Sequence, residues 1–487
     1  MSRVSPLCDM HRSGEIGHCN NRGLRRGDRE SVWNMLKSRR EAIIQGTDGH
    51  ALPGAQPMLK KQEWGYVLVL FALLFEFGRP QDFLPPLKVI PFPSVIDASI
   101  AVAVLFSGRA SLSNKQSRLW LGLLVFMALW VPFANNTFHA FSQLKDLTLY
   151  FFFYLGIITF VNTTGKMQKL ILVWLGVHTL LAINGMLHGG RGVGGWLGDE
   201  NDFAMEMNVA IPFAFFLYQG ATAKGAKLLY LFLLGIFVLS SISTASRGGF
   251  LGLVAVGSFC WFYSPRKVWS LVLLTGVLLL VLVAAPQEYW DRMQTITDDS
   301  TMESGTAGQR MFTWGIGWEM FLANPVFGVG QGNFPWTIGE YLGGRTWQTK
   351  SLAGRQAHSL YFTLLPELGL LGVFIFGSMV VFNYKDVRYC NRLGIRPRVT
   401  HQRGSGQGDA DLEKAAWFGN AILGALVAYL VTSTFISTLY YPTFWILTGL
   451  AVALRNTTER YAKKSLEGVS QPSPVRLAPW SRPRPVR

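Results

Sequence analysis

The chain has 487 residues, of which 49% are hydrophobic, 13% aromatic and 15% charged, with a formal net charge of +16. So apolar a composition at this length excludes a water-soluble globular enzyme and marks an all-α, polytopic integral membrane protein. The basic excess gathers at the ends, with eleven of the 45 Lys and Arg in residues 1–63 and eight after residue 454. There it serves topology and contact with membrane lipids, and no nucleic-acid partner is expected.

Residues 1–63 form a cytoplasmic arm, and 1–57 are polar, Gly- and Arg-rich and without helical periodicity, which predicts disorder. Cys8, His11, His18 and Cys19 are a zinc-like assortment, but their spacing fits no standard finger, so no metal is expected. Met58, followed by "LKKQEWGYVLVLFALLF", reads as a more natural start, with two lysines leading into an apolar run. The arm lacks the apolar centre of a signal peptide.

Twelve stretches then have the apolar length that crosses about 30 Å of hydrocarbon. They are 65–81, 92–108, 118–134, 147–162, 168–186, 203–219, 226–243, 249–264, 267–285, 358–383, 415–436 and 439–455. The second is the weakest, with Pro91, Pro93 and Asp97. This divides the chain into the arm, nine spans in 64–285, a long loop at 286–357, three spans in 358–456 and a cytoplasmic tail at 457–487.

Short cytoplasmic loops carry an excess of Lys and Arg. With the N-terminus inside, the inner loops hold Arg109, Lys115 and Arg118, then Lys166 and Lys169, Lys224 and Lys227, Arg266 and Lys267, and seven basic residues between 384 and 414. The short outer loops hold Arg79, Lys88, Lys145, Arg191 and Arg247, and the long one holds five basic residues. Both termini are therefore assigned to the cytoplasm. Arg191 and Arg247 face outward against the rule. Cys8, Cys19 and Cys390 fall inside and Cys260 falls within a span, so no outer disulfide is expected.

Candidate chemistry lies in the outer loops. "LHGGRGVGGWLGDENDF" at 187–203 puts glycines around Arg191 and an acidic cluster of Asp199, Glu200 and Asp202, with Asn201 among them. "TASRGGF" at 244–250 places Arg247 in a short turn. In the long loop, Met311, Trp314, Trp318 and Phe321 recur at helical spacing, predicting an amphipathic helix that stops at Asn324–Pro325. "GVGQGNF" after it is no dinucleotide fingerprint, because no strand precedes it. "GRQAHSLYFTLLPELGLLGVF" then sets His358 at the mouth of the tenth span and Glu367 nine residues deeper. At 100° per residue those two lie on opposite faces of an undistorted helix, and Glu367 reads first as an interhelical contact and second as a substrate-binding residue.

The order of these spans, with "GRGVGGWLGDEND" before the sixth, "SRGGF" opening the eighth, "GQRMFTWGIGWEMFLANPVFGVGQGNF" in the loop and "AHSLYFTLLPELGLLG" entering the tenth, resembles the O-antigen ligase and O-antigen polymerase superfamily of bacterial envelope proteins. The resemblance covers about residues 64–455. It implies a multi-pass glycosyltransferase of the bacterial inner membrane. Such an enzyme moves a glycan from an undecaprenyl diphosphate carrier at the periplasmic face to lipid A core, to a growing glycan or to a protein hydroxyl. Carried over by motif position, Arg191, Arg247, Arg310 and His358 are the functional residues, with Asn201 and Glu367 added as substrate-binding candidates. No cofactor is implied.

The chemistry accords with that set. Cleaving a sugar–diphosphate bond leaves a multiply charged group, and guanidinium forks bind phosphate oxygens bidentately while staying charged. A histidine with an ordinary pKa near 6.5 can take the acceptor's proton at neutral pH. The alternatives are a polymerase of the same superfamily, a polysaccharide transporter, and a metal-dependent transferase. The first outer loop offers only Asp82 to the last of these, although "GDEND" is a possible substitute for the usual acidic pair.

Overall fold

The computed structural model describes residues 55–108, 112–284, 287–294, 305–395 and 407–469. The chain divides into two units, residues 1–60 and 61–487. Of the first, only 55–60 are described, and the Cys8–Cys19 assortment lies outside the described residues. Residues 55–63, assigned above to the arm, are helical, because the first helix begins at Ala55.

The long helices in chain order are α1 (Ala55–Phe77), α2 (Phe92–Phe106), α3 (Lys115–Trp130), α4 (Thr137–Phe160) and α5 (Thr164–Leu187). Then come α6 (Glu200–Gly220), α7 (Lys224–Ser243), α8 (Arg247–Tyr263), α9 (Lys267–Ala284) and α10 (Gln287–Gln294). The last are α11 (Thr306–Ala323), α12 (Phe334–Leu342), α13 (Leu360–Ile395), α14 (Gln407–Thr432) and α15 (Pro442–Val469). Among the described residues the fold is helical throughout, apart from an isolated bridge between Trp347 and Lys350. In its described residues each of the twelve apolar stretches lies mostly on one helix, the first also running into a short helix at Pro80–Phe83. Among the described residues, five helices are long and apolar enough to cross a membrane by length and composition: Lys115–Phe133, Thr164–Leu187, Lys224–Ser243, Leu360–Gly394 and Ala410–Phe435.

The connections collect at two ends. At one, Glu63 pairs with Lys166, Gln116 and Arg455 both reach Asp386, Thr164 donates to Asp411 and Gln219 to Ser264. At the other, Trp196 packs on Phe77 and Tyr441, Asn136 meets Asn333, and Ser246 donates to Asn201. Alternate connections therefore meet at the same end, as consecutive antiparallel helices require.

Helix α6 is the centre. It packs on α7, α8 and α14 and is buried on all sides from Asp202 to Leu217, as a helix apolar all round must be. Its polar side chains have partners. Asn208 donates to the Gly249 carbonyl at 2.8 Å and accepts from Ser241, while Glu206 accepts from Thr443 and lies 3.1 Å from His178. Helix α8 comes close because of its glycines: a Cβ on Gly249 would stand 2.6 Å from Ala204, and one on Gly252 2.1 Å from the Thr432 hydroxyl.

Helix α13 is broken. Gly369 has φ 60° and ψ −162°, a conformation open to glycine alone. The break exposes backbone groups, and the 325–330 loop satisfies them. Val329 donates to the Pro366 carbonyl at 2.8 Å and Gly330 to Glu367 at 3.0 Å, while Leu370 donates to Pro325 at 2.8 Å and Leu371 to Val326 at 3.2 Å. "NPVFGVGQGNF" is thus a clip on a broken helix, which is how irregular backbone is accommodated inside a bundle.

Candidate active site

Arg247 is the first residue of α8, and the turn before it is built to hold it there. Ala245 has φ 49°, Ser246 caps the helix by accepting from Gly249 at 3.0 Å, and the Ser246 hydroxyl donates to Asn201 at 2.7 Å. Asn201 is itself fixed, giving its backbone and side-chain N–H groups to Asp199 at 2.8 Å each. The "GDEND" and "SRGG" segments therefore form one unit. From it Arg247 reaches across to the Thr306 hydroxyl at 2.6 Å, at the start of α11.

Helix α11 is the predicted loop helix, and its C-cap is Asn324 as expected. The apolar stripe, expected to lie on the membrane or on the bundle, is divided between the two surfaces, with Phe321 buried. Thr313, Ile316, Gly317, Met320 and Phe321 face the protein, while Met311 and Trp318 are exposed. Spacing located the helix but not which flank docks, because both flanks carry large apolar residues. Trp314, on the margin, donates to the Ala357 carbonyl at 2.8 Å and stacks on Phe362 with centroids 5.1 Å apart.

That contact pins the segment carrying His358. The residue has φ 48°, a left-handed conformation that costs a non-glycine residue on the order of 1–3 kcal/mol and persists only where its surroundings impose it. Here the imposition comes from both sides. Ala357 is held by Trp314, and the Ser359 hydroxyl accepts from Phe362 at 3.4 Å as α13 starts. His358 is thus set just before the helix, pointing from a fixed corner.

A cavity of about 160 Å³ opens at this corner. Thr306, Gln309, Arg310 and Thr313 of α11 form one wall, and Arg355, Gln356, Ala357 and His358 form the other. His358 is exposed through the cavity mouth, yet protein crowds the ring closely enough to disfavour its charged form. Its pKa is lowered, first by that desolvation and then by Arg310, with Arg355 acting in the same sense and Asp199 opposing. Arg310 is lowered from its ordinary value too, by burial and then by Arg247, against Asp199 and Asp202. Two guanidiniums that repel each other beside a neutral imidazole favour an anion placed between them.

The other sequence candidates fall elsewhere. Arg191 is 64% exposed and pairs with Glu200 at 3.1 Å, at the edge of the "GDEND" segment. Asn201 acts through Ser246, holding the turn that bears Arg247. Glu367 is engaged inside the protein, accepting from Gly332 at 2.7 Å, Phe334 at 2.9 Å and Tyr440 at 2.6 Å, which ties α13 to the start of α12 and to the turn before α15. Asp82 is held by Arg79 at 2.5 Å and Lys88 at 3.5 Å. Sequence reasoning missed Arg355, Gln309 and Gln356. Arg355 and Gln356 stand in the quoted "GRQAHS", but nothing in their spacing marks them as cavity walls.

Residues 209–377 match the family described as O-Antigen ligase. The matched segment contains Arg247, Arg310, Arg355 and His358, while Arg191 and Asn201 precede it. The match supports the superfamily that the motifs resemble, and with it a membrane protein that handles glycans by ligase-type transfer. No curated protein matches the chain.

Proposed function

We propose that this protein of the O-antigen ligase superfamily moves a glycan from an undecaprenyl diphosphate carrier to an acceptor hydroxyl at the periplasmic face of the inner membrane. One observation carries the reading: His358 and Arg310 share one cavity, and Arg247 closes on its rim through Thr306. Arg247 and Arg310 receive the diphosphate. His358 accepts the proton of the acceptor hydroxyl as its oxygen attacks the anomeric carbon. The bond from that carbon to the phosphate oxygen breaks, and its electron pair leaves with the carrier diphosphate. Attack opposite the leaving group inverts the anomeric configuration, and no covalent glycosyl-enzyme is required.

The reading includes twelve membrane crossings with both termini cytoplasmic. The basic inner loops and the segregation of connections to two ends support it. Arg191, exposed and paired with Glu200, is assigned to the approach of the donor rather than to the diphosphate itself.

The test is transfer by the purified protein from a lipid diphosphate glycan, with and without EDTA. Turnover that survives chelation is expected. No turnover by a well-folded preparation sinks the transferase reading in favour of transport, and turnover abolished by EDTA sinks the arginine-only account of the diphosphate.

A further inference from the structure

Away from the cavity wall, Trp336 on α12 is 52% exposed and yet held in place. Its ring stacks on His139 of α4, with centroids 4.7 Å apart and an interplanar angle of 26°. The elements beneath are laced together. Asn135 donates to Thr337 at 3.2 Å and to Glu340 at 2.9 Å, and the Asn136 backbone donates to Asn333 at 2.6 Å. Phe138 meets His139 edge-on at 5.5 Å and extends the aromatic surface. His139 thus covers one face of the Trp336 ring and leaves the rest of it exposed, on the short helix whose Glu340 carboxylate holds the Asn135 amide.

A tryptophan that only anchors a protein in the membrane interface needs none of this fixing. A flat face with hydrogen-bonding groups at its edge suits a ligand that is apolar on one side and hydroxyl-rich around its rim, which describes a pyranose ring. The platform also adjoins the cavity. Gly354 donates to the Pro335 carbonyl at 3.1 Å, joining the residue before Trp336 to the residue before Arg355. Backbone dimensions then put the Trp336 and Arg355 Cα atoms no more than about 15 Å apart.

We infer that Trp336, His139, Asn135 and Glu340 form a saccharide-binding platform for the acceptor glycan. The inference rests on the transferase reading, in which the base must touch the acceptor. The platform joins the wall that carries Arg355 and His358, whereas the Arg247 and Arg310 side takes the diphosphate. The acceptor is therefore a saccharide gripped a few sugar units from its reacting hydroxyl.

The probe is the saccharide released by mild acid from envelopes of cells lacking this protein, which carry the unmodified acceptor. Its binding to the full chain in nanodiscs is measured by saturation-transfer NMR and calorimetry. Trp336→Ala should weaken binding on the order of tenfold and Trp336→Tyr by less than about threefold, since stacking survives in tyrosine. Affinity for geranylgeranyl diphosphate should not change in either variant. Unaltered saccharide binding by Trp336→Ala overturns the platform, as does the absence of binding to the wild type. Brominated acyl chains that quench wild-type fluorescence more than that of Trp336→Phe place the ring in the bilayer and also overturn it. A wild type that binds the saccharide in this pattern but transfers nothing from a lipid-linked donor keeps the platform and removes the transferase reading.

Discussion

His358 combines two features that suit a general base: it is fixed, by Trp314 on one side and the start of α13 on the other, and its charged form is disfavoured. His358→Ala should lower the transfer rate by roughly 10²–10⁴-fold while leaving donor affinity near wild type, because proton removal acts in the transition state. Loss of donor binding in the same variant would reassign it to structure. The pH dependence has a definite sign. Desolvation and Arg310 hold the imidazole below its ordinary value near 6.5, so the acid limb of kcat/KM should fall below that pH. Arg355→Gln removes a nearby positive charge and should move the limb upward; Asp199→Asn removes a negative one and should move it downward. Equal profiles in all three proteins would show that another group carries the limb. Arg247→Lys tests the fork, since lysine keeps the charge but loses the planar pair of donors. Its kcat should fall well below wild type at equal expression. Arg247, in one short loop, and Arg310 and His358, in and beside the long one, were legible in the sequence, whereas Arg355, Gln309 and Gln356 were not. The meeting of the first three was not, because it depends on Asn201 reaching Ser246 and on α11 folding back to Arg247, contacts between segments far apart in the chain.

The elements that bring these loops together are held by local devices of unequal visibility. The stop of α11 at Asn324 could be read from Pro325. The break in α13 could not, because Pro366 announces a kink without saying what fills it. Gly369 takes a backbone conformation reserved for glycine, and a Cβ there would lie 2.5 Å from the Val326 carbonyl. Gly369→Ala should therefore lower the melting temperature of the purified protein and transfer together, with no change in the pH profile of what activity remains. Glu367 makes the same distinction from the other side. Glu367→Gln keeps one acceptor oxygen but turns an NH₂ toward N–H or O–H donors, and each buried donor left unsatisfied costs about 1–3 kcal/mol. Reduced thermal stability with unchanged donor and acceptor KM is expected. A raised KM at unchanged stability would restore Glu367 to substrate binding.

At the scale of the whole molecule, apolar length was enough to find the long helices described outside the 286–357 loop, because a long apolar run is a length and composition that few other elements share. It did not find α10 and α12, short helices whose sequences carry no such constraint. The connections that sit together do so as a consequence of alternation, since consecutive antiparallel helices leave odd-numbered loops at one end and even-numbered loops at the other, whatever their charge. Among the described residues five helices are long and apolar enough for crossing, so sidedness is the property that needs direct measurement. If all twelve stretches cross, a phosphatase reporter fused near residue 340 is active in the periplasm and one fused near residue 400 is inactive there. A green fluorescent fusion gives the opposite pattern. Arg247, Arg310 and His358 can meet a carrier diphosphate at the periplasmic face only if the 286–357 loop lies there. Periplasmic signal near 400 with none near 340 would invert the protein and put the cavity on the side where the carrier is loaded rather than where its glycan is spent. Silence at both positions would mean that fewer helices cross than the apolar stretches imply. Active phosphatase near 340, together with labelling of a Ser351→Cys variant by a membrane-impermeant maleimide in intact spheroplasts, would place the Arg355–His358 wall outside without relying on a bulky fusion.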